Sequence, residues 1–101
     1  MRYPNSEMIS TYNGYTEGTH HHCEVLLRDD SIVVEYVDDG TRVTYHGHQT
    51  ADGLYAVLQD TDSYRYSATL RRTAEDLLEG EWQTIRASTL YSSGTWSIEL
   101  G

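Results

Sequence analysis

Three acidic turn signals, Asp29-Asp30, Asp39-Gly40 and Asp52-Gly53, cut the middle of this chain into stretches in which apolar and polar residues alternate. Alternation with a period of two belongs to a strand with one buried face. Asp-Gly between two such stretches marks a two-residue hairpin, because a type I′ turn needs positive φ at both central positions. Strands are expected at roughly His21 to Arg28, Ser31 to Asp38, Thr41 to His48 and Leu54 to Gln59, joined as an antiparallel meander. Such turns also set the register. Asp39-Gly40 places Tyr36 opposite Val43, Val34 opposite Tyr45 and Ile32 opposite Gly47, and Asp29-Asp30 places Leu27, Val25 and Cys23 opposite Ile32, Val34 and Tyr36. All of these share one face, to which Asp52-Gly53 is expected to add Leu54, Ala56 and Leu58. Independent turns that agree on one buried face are the consistency a real fold shows.

The flanks continue the pattern. Tyr64, Tyr66, Ala68 and Leu70 alternate with polar residues, and a two-residue turn after Asp60 would put them on the wrong side, so an odd-length loop is expected there. Thr73-Ala74-Glu75-Asp76-Leu77 has the capping-box form and predicts a single helical turn. Near the end, Leu78-x-Gly80-x-Trp82 is answered by Trp96-x-Ile98-x-Leu100. With Ser88, Thr89 and Leu90 in the turn, Trp82 would face Trp96, Gly80 would face Ile98 and Leu78 would face Leu100. Residues 1–19 are polar and contain the turn signal Asn13-Gly14; they read as an N-terminal arm or an edge strand around Tyr12 to Thr16, ahead of a single β-barrel domain at 20–101. The fold class is all-β: an antiparallel meander of seven or eight strands forming a small barrel or a dimerising half-barrel, with at most one short helical turn. Unpaired sheet edges favour a homodimer.

A chain of 101 residues holds one core. Its 16 acidic residues against seven basic ones, all Arg, give a formal net charge of -9, which disfavours nucleic acid and anionic membrane surfaces as partners. The sequence offers no apolar run of membrane-spanning length and no apolar leader at its start, so a cytoplasmic location is expected. The single cysteine, Cys23, forms no internal disulfide.

The meander, together with Leu78-x-Gly80-x-Trp82 and Gly94-x-Trp96-x-Ile98-x-Leu100, resembles the calycin-like up-and-down barrels, the group of the avidins and lipocalins. Here the Gly-x-Trp strands come last rather than first. The resemblance implies a non-enzymatic protein that holds a small, mostly apolar ligand in the barrel mouth. A second stretch, Gly40-x5-His46-x-His48-x3-Asp52, is similar to the first cupin motif, with Asp52 in place of Glu and no second motif; the register turns His46 and His48 away from the core.

Three functional readings follow. In the first, Tyr36, Tyr45, Tyr66, Trp82 and Trp96 line a pocket, each offering flat apolar surface with a polar tip, and no cofactor is required. In the second, His20, His22 and Glu24 project from one strand face, with Glu35 opposite Glu24, as a ligand set for a divalent metal that would relieve the repulsion between the two carboxylates. A cupin-like variant would use His46 and His48. In the third, the chain is a dimeric interaction module that meets a basic protein through its acidic surface. His21 and Cys23 share the inward face, where a buried thiol is normally inert.

Overall fold

The computed structural model describes residues 1–15 and 17–101; Thr16, at the end of the edge strand expected around Tyr12, lies outside the described residues. Eight strands follow one another: β1 (Arg2–Tyr12), β2 (Gly18–Arg28), β3 (Ser31–Asp38), β4 (Thr41–Ala51), β5 (Leu54–Asp60), β6 (Tyr64–Ala74), β7 (Leu77–Arg86) and β8 (Thr89–Glu99). Each pairs antiparallel with the next, and β8 returns to β1 to close a barrel. The segment read as an arm or edge strand supplies β1, which pairs on both sides, Met8 lying between His21 of β2 and Ile98 of β8. Because the barrel closes within one chain, the argument for dimerisation from open sheet edges lapses.

The first two hairpins after β1 have the expected registers. Cys23 pairs with Tyr36, Val25 with Val34 and Leu27 with Ile32, and across the next turn Val34 pairs with Tyr45 and Ile32 with Gly47. The Asp39-Gly40 turn has φ of 51° and 78° at its two residues, the I′ geometry that joins twisted strands without splaying them.

Three local expectations are corrected. At Asp52-Gly53 only Gly53 has positive φ, and a bulge between Gln49 and Ala51 inserts one residue. One residue flips every side chain of the strand that follows. Tyr55 and Val57 therefore point inward, and Leu58, expected in the core, is 40% exposed. The one-residue offset assigned to the loop after Asp60 falls one hairpin earlier; Asp60 pairs with Arg65, leaving an even number of residues between them.

The second correction concerns 73–77, where a tight turn at Glu75-Asp76 replaces the helical turn. Ala74 pairs with Leu77, and the Arg72 guanidinium donates through Nε to the Glu75 carbonyl at 3.0 Å, closing the turn as a strand connection.

The third is the closing hairpin. Its turn is Ala87-Ser88, both at positive φ, rather than 88–90, and a one-residue bulge opposite Ile85 follows it; together they place the pairing two residues from the expected one, so Trp82 faces Gly94 and Trp96 faces Gly80. The faces survive, since two is an even shift, but each indole lies against a glycine rather than the other indole. At Gly94 a Cβ would meet the Thr11 carbonyl oxygen at 1.6 Å and the Trp82 ring at 2.7 Å. The missing side chain is what lets both the neighbouring strand and the ring come close.

The barrel has unlike ends. One carries both termini and the turns at 29–30, 52–53 and 75–76, and is filled: Met8, Val25, Ile32, Val34, Leu70, Leu78 and Ile98 are fully buried. It is shut by the chain ends, with Asn5 N donating to Gly101 O at 2.9 Å, Gly101 N to Ser6 Oγ at 3.2 Å and Ser6 Oγ to Tyr3 O at 3.0 Å. The other end carries the turns at 13–14, 39–40, 61–63 and 87–88, and is hollow.

Candidate functional site

The hollow end is a cup of about 560 Å³. Its lining comes from the same inward positions that fill the closed end, continued along each strand. On β2 the series Leu27, Val25, Cys23 runs on to His21 and Thr19; on β3, Ile32 and Val34 lead to Tyr36 and Asp38; on β6, Leu70 and Ala68 lead to Tyr66 and Tyr64. Aliphatic side chains thus give way to rings and hydroxyls. Ser10, Thr61, Thr84, Ser92 and Gln59 complete the polar share of the wall.

All five residues expected to line a pocket, Tyr36, Tyr45, Tyr66, Trp82 and Trp96, line this cup. Trp96 forms the floor, edge-on to Tyr45 (centroids 4.9 Å apart, 87° between planes) and to Tyr36 (6.4 Å, 88°), while Tyr36 and Tyr45 lie nearly parallel at 6.4 Å. Perpendicular contacts of this kind place a positive ring edge on a negative ring face and hold the rings in fixed orientations. On another wall Tyr64 stacks on Tyr66 at 5.8 Å, and Tyr91 meets Tyr64 edge-on at 5.5 Å. Trp82 is anchored by its Nε1, which donates to the Thr11 carbonyl at 3.1 Å, and by an edge contact with Tyr12 at 5.0 Å. The rings are thus packed on one another and, at Trp82, tied to the backbone.

Burial in and beneath the cup opposes ionisation of the groups there. Burial pushes the Tyr36 phenol up to about 12, and the Asp38 carboxylate at the mouth adds to the rise. Burial, then the neighbouring Tyr36, raise Tyr45 as well. Below the floor, burial and then the Glu7 charge push the Cys23 thiol up to about 12, so it stays protonated and unreactive near neutral pH. His21 packs against Tyr36 at 4.9 Å.

The proposed metal ligands do not converge. His20, His22 and Glu24 lie on the outer face, and Glu24 does pair with Glu35 across the strands, but each carboxylate has its own cationic neighbour. Arg2 stands 3.5 Å from Glu24, Arg42 stands 2.9 Å from Glu35, and the Thr44 hydroxyl donates to Glu35 at 2.9 Å. The repulsion assigned to a metal ion is relieved by guanidinium groups. His22 instead approaches Glu7 at 3.4 Å. His46 and His48 are exposed on the outside of β4, and among the described residues no three His, Cys, Asp or Glu side chains gather as metal ligands.

Ser10, Tyr12, Thr19, Asp38 and Tyr91 were not expected in the cup, whereas His21 takes the inward position expected of it. Extending the inward alternation of β2 and β3 to their ends would have found Thr19 and Asp38, whereas Ser10 lies on β1, which the sequence did not mark as a strand there. Tyr91 was out of reach of that rule, because it sits at the β7–β8 bulge. No family model, curated protein or solved structure matches the chain.

Proposed function

We propose that the protein is a non-catalytic small-molecule binding barrel, calycin-like in its mode of use, with the cup as its site. The observation that carries this is the cup itself, a space of about 560 Å³ walled by aromatic rings at one end of a barrel whose other end is solidly packed. Small-molecule sites are commonly concave, largely preformed and of this size. Packing alone does not call for it, since an eight-strand barrel has an interior narrow enough for side chains to fill. The lining favours a ligand with flat or methyl-bearing apolar surface and a few polar atoms within reach of the tyrosyl and threonyl hydroxyls.

Two further features bear on this reading, the first favouring binding over catalysis and the second setting the barrel apart from a lipid-facing one. The one thiol lies beneath the floor with its pKa raised, and His21, its neighbour on the inward face, packs on a tyrosine ring rather than on a nucleophile. The outer face carries Glu7, Glu24, Glu35, Arg42, His46 and His48 around an apolar interior, the reverse of a lipid-facing barrel.

The test is a titration of the dialysed protein with the neutral dye N-phenyl-1-naphthylamine. A saturable, blue-shifted signal of one dye per chain, weakened by Tyr66→Ala, is the expected result. A dye response absent from the wild type, with no thermal shift, overturns the reading.

A further inference from the structure

We infer that the cup takes an organic cation, an alkylated ammonium group seated among the ring faces of Tyr36, Tyr45 and Trp82 beneath the carboxylate of Asp38. This rests on the cup being a ligand site and names the chemistry of what enters it.

The lining discriminates among three kinds of ligand. A pure hydrocarbon would strip water from the hydroxyls of Thr61, Thr84 and Ser92 and give nothing back, and a polar group left unmet costs free energy that apolar contact must first offset. An anion would enter a protein of net charge -9 past Asp38. Arg42 touches the cup's edge, but its guanidinium is held outside by Glu35 at 2.9 Å. A cation that carries a hydroxyl beside its alkylated nitrogen suits both features at once, the hydroxyl meeting the polar lining and the charge meeting Asp38. Ring faces carry the negative lobe of the aromatic quadrupole and attract an ammonium group, most strongly where water is excluded, and alkyl groups on nitrogen fit apolar surface.

The wall already shows this behaviour. Arg86 of β7 lies over the Tyr64 ring, 5.7 Å from its centroid. In an eight-strand barrel β7 stands across from β3, so this arginine faces the wall that bears Asp38. An entering ammonium group is therefore directed away from Arg86 and toward Asp38, Tyr36 and Tyr45. Burial is the main cause of the raised phenol pKa values of Tyr36 and Tyr45, and the Asp38 carboxylate adds a smaller part of the same sign.

Choline chloride and its neutral isostere 3,3-dimethylbutan-1-ol separate the alternatives, since they share shape and hydroxyl and differ in charge. Each is titrated into the intact protein at constant ionic strength, following tryptophan fluorescence and the two indole N–H resonances, both of which belong to cup residues. The expected result is saturable choline binding about tenfold tighter than the alcohol, as one desolvated cation–π site supplies. Asp38→Asn, a change at an exposed position, should weaken choline about threefold and leave the alcohol unchanged. The alcohol binding as tightly as choline overturns the cation inference while leaving the cup as a ligand site. Silence from both probes and from N-phenyl-1-naphthylamine overturns the cup as well.

Discussion

The two ends of this barrel are built from the same strands and the same alternation, yet one is a solid and the other a vessel. Along β3 the inward residues run Ile32, Val34, Tyr36, Asp38, and along β6 they run Leu70, Ala68, Tyr66, Tyr64. Period two decides only which side a residue faces. What the enclosed space becomes depends on the side chains met along that side: branched aliphatics interlock and exclude water, whereas tyrosines and threonines project polar tips that need it. The difference teaches that a binding site can be written into a barrel as a change of residue class along the strands, with no added loop or domain.

The largest effect is expected from breaking the solid end. Ile98 is fully buried between Leu78 on β7 and Met8 on β1, and Ile98→Ala removes three carbons from a space that cannot collapse far. A loss of about 3 kcal/mol in urea unfolding is expected. The contrasting change is Tyr66→Ala, which deletes a larger side chain from the half-buried cup wall and should cost only about 1 kcal/mol while weakening dye binding. If both changes destabilise equally, the cup is part of the core and not a site.

How much of this contrast could be read from the sequence depended on bulges. The registers of the β2–β3 and β3–β4 hairpins were legible because each turn is a plain two-residue connection, and a pairing that obeys one sum of residue numbers carries its faces with it. At the β4–β5 hairpin the residues Asp52-Gly53 look the same, but the bulge near Gln49 changes the parity, which is why Tyr55 and Val57 rather than Leu54, Ala56 and Leu58 face in. Composition gave no warning, since β5 is apolar on both faces. At the β7–β8 hairpin the turn at Ala87-Ser88 and the one-residue bulge after it together moved the pairing by two, so the wall positions of Trp82 and Trp96 were legible while their partners, Gly94 and Gly80, were not. The metal reading failed for another reason. The Glu24–Glu35 pairing was correct, but Arg2 approaches from β1, a strand whose path the polar N-terminal sequence did not disclose.

A smaller effect tests the boundary between the ends, where Cys23 sits under the floor. Its folded pKa of about 12 lies above the ordinary value of 9.0, so the unfolded chain loses the proton first as pH rises. The stabilising contribution is therefore complete below about pH 9 and is lost between about pH 9 and 12. From pH 9 to pH 10 the protein should lose about 1 kcal/mol through this group, and Cys23→Ala should flatten that part of the curve whatever its own stability. Tyr36, raised in the same direction, adds a further loss between about pH 10 and 12 that the variant retains. An unchanged alkaline slope in Cys23→Ala would mean the thiol is open to the water of the cup, and the floor formed by Trp96 leaks.

The smallest effect belongs to the outer surface, which treats both ends alike. Arg42→Ala removes the guanidinium 2.9 Å from Glu35 and leaves that carboxylate facing Glu24 across the strand pair. Arg42 is well exposed, and Thr44 still donates to Glu35, so the cost should be only about 0.5 kcal/mol at low salt and should vanish by about 0.5 M salt. In the wild type, EDTA should leave the melting temperature unchanged, because Arg2 and Arg42 already balance the two glutamates. A fall in melting temperature on EDTA that zinc restores would show that a cation shares this pair with the arginines. With no such fall, the charge on the outside of the barrel is internally compensated at this point, and the carboxylate that the proposed ligand would meet is that of Asp38 at the mouth.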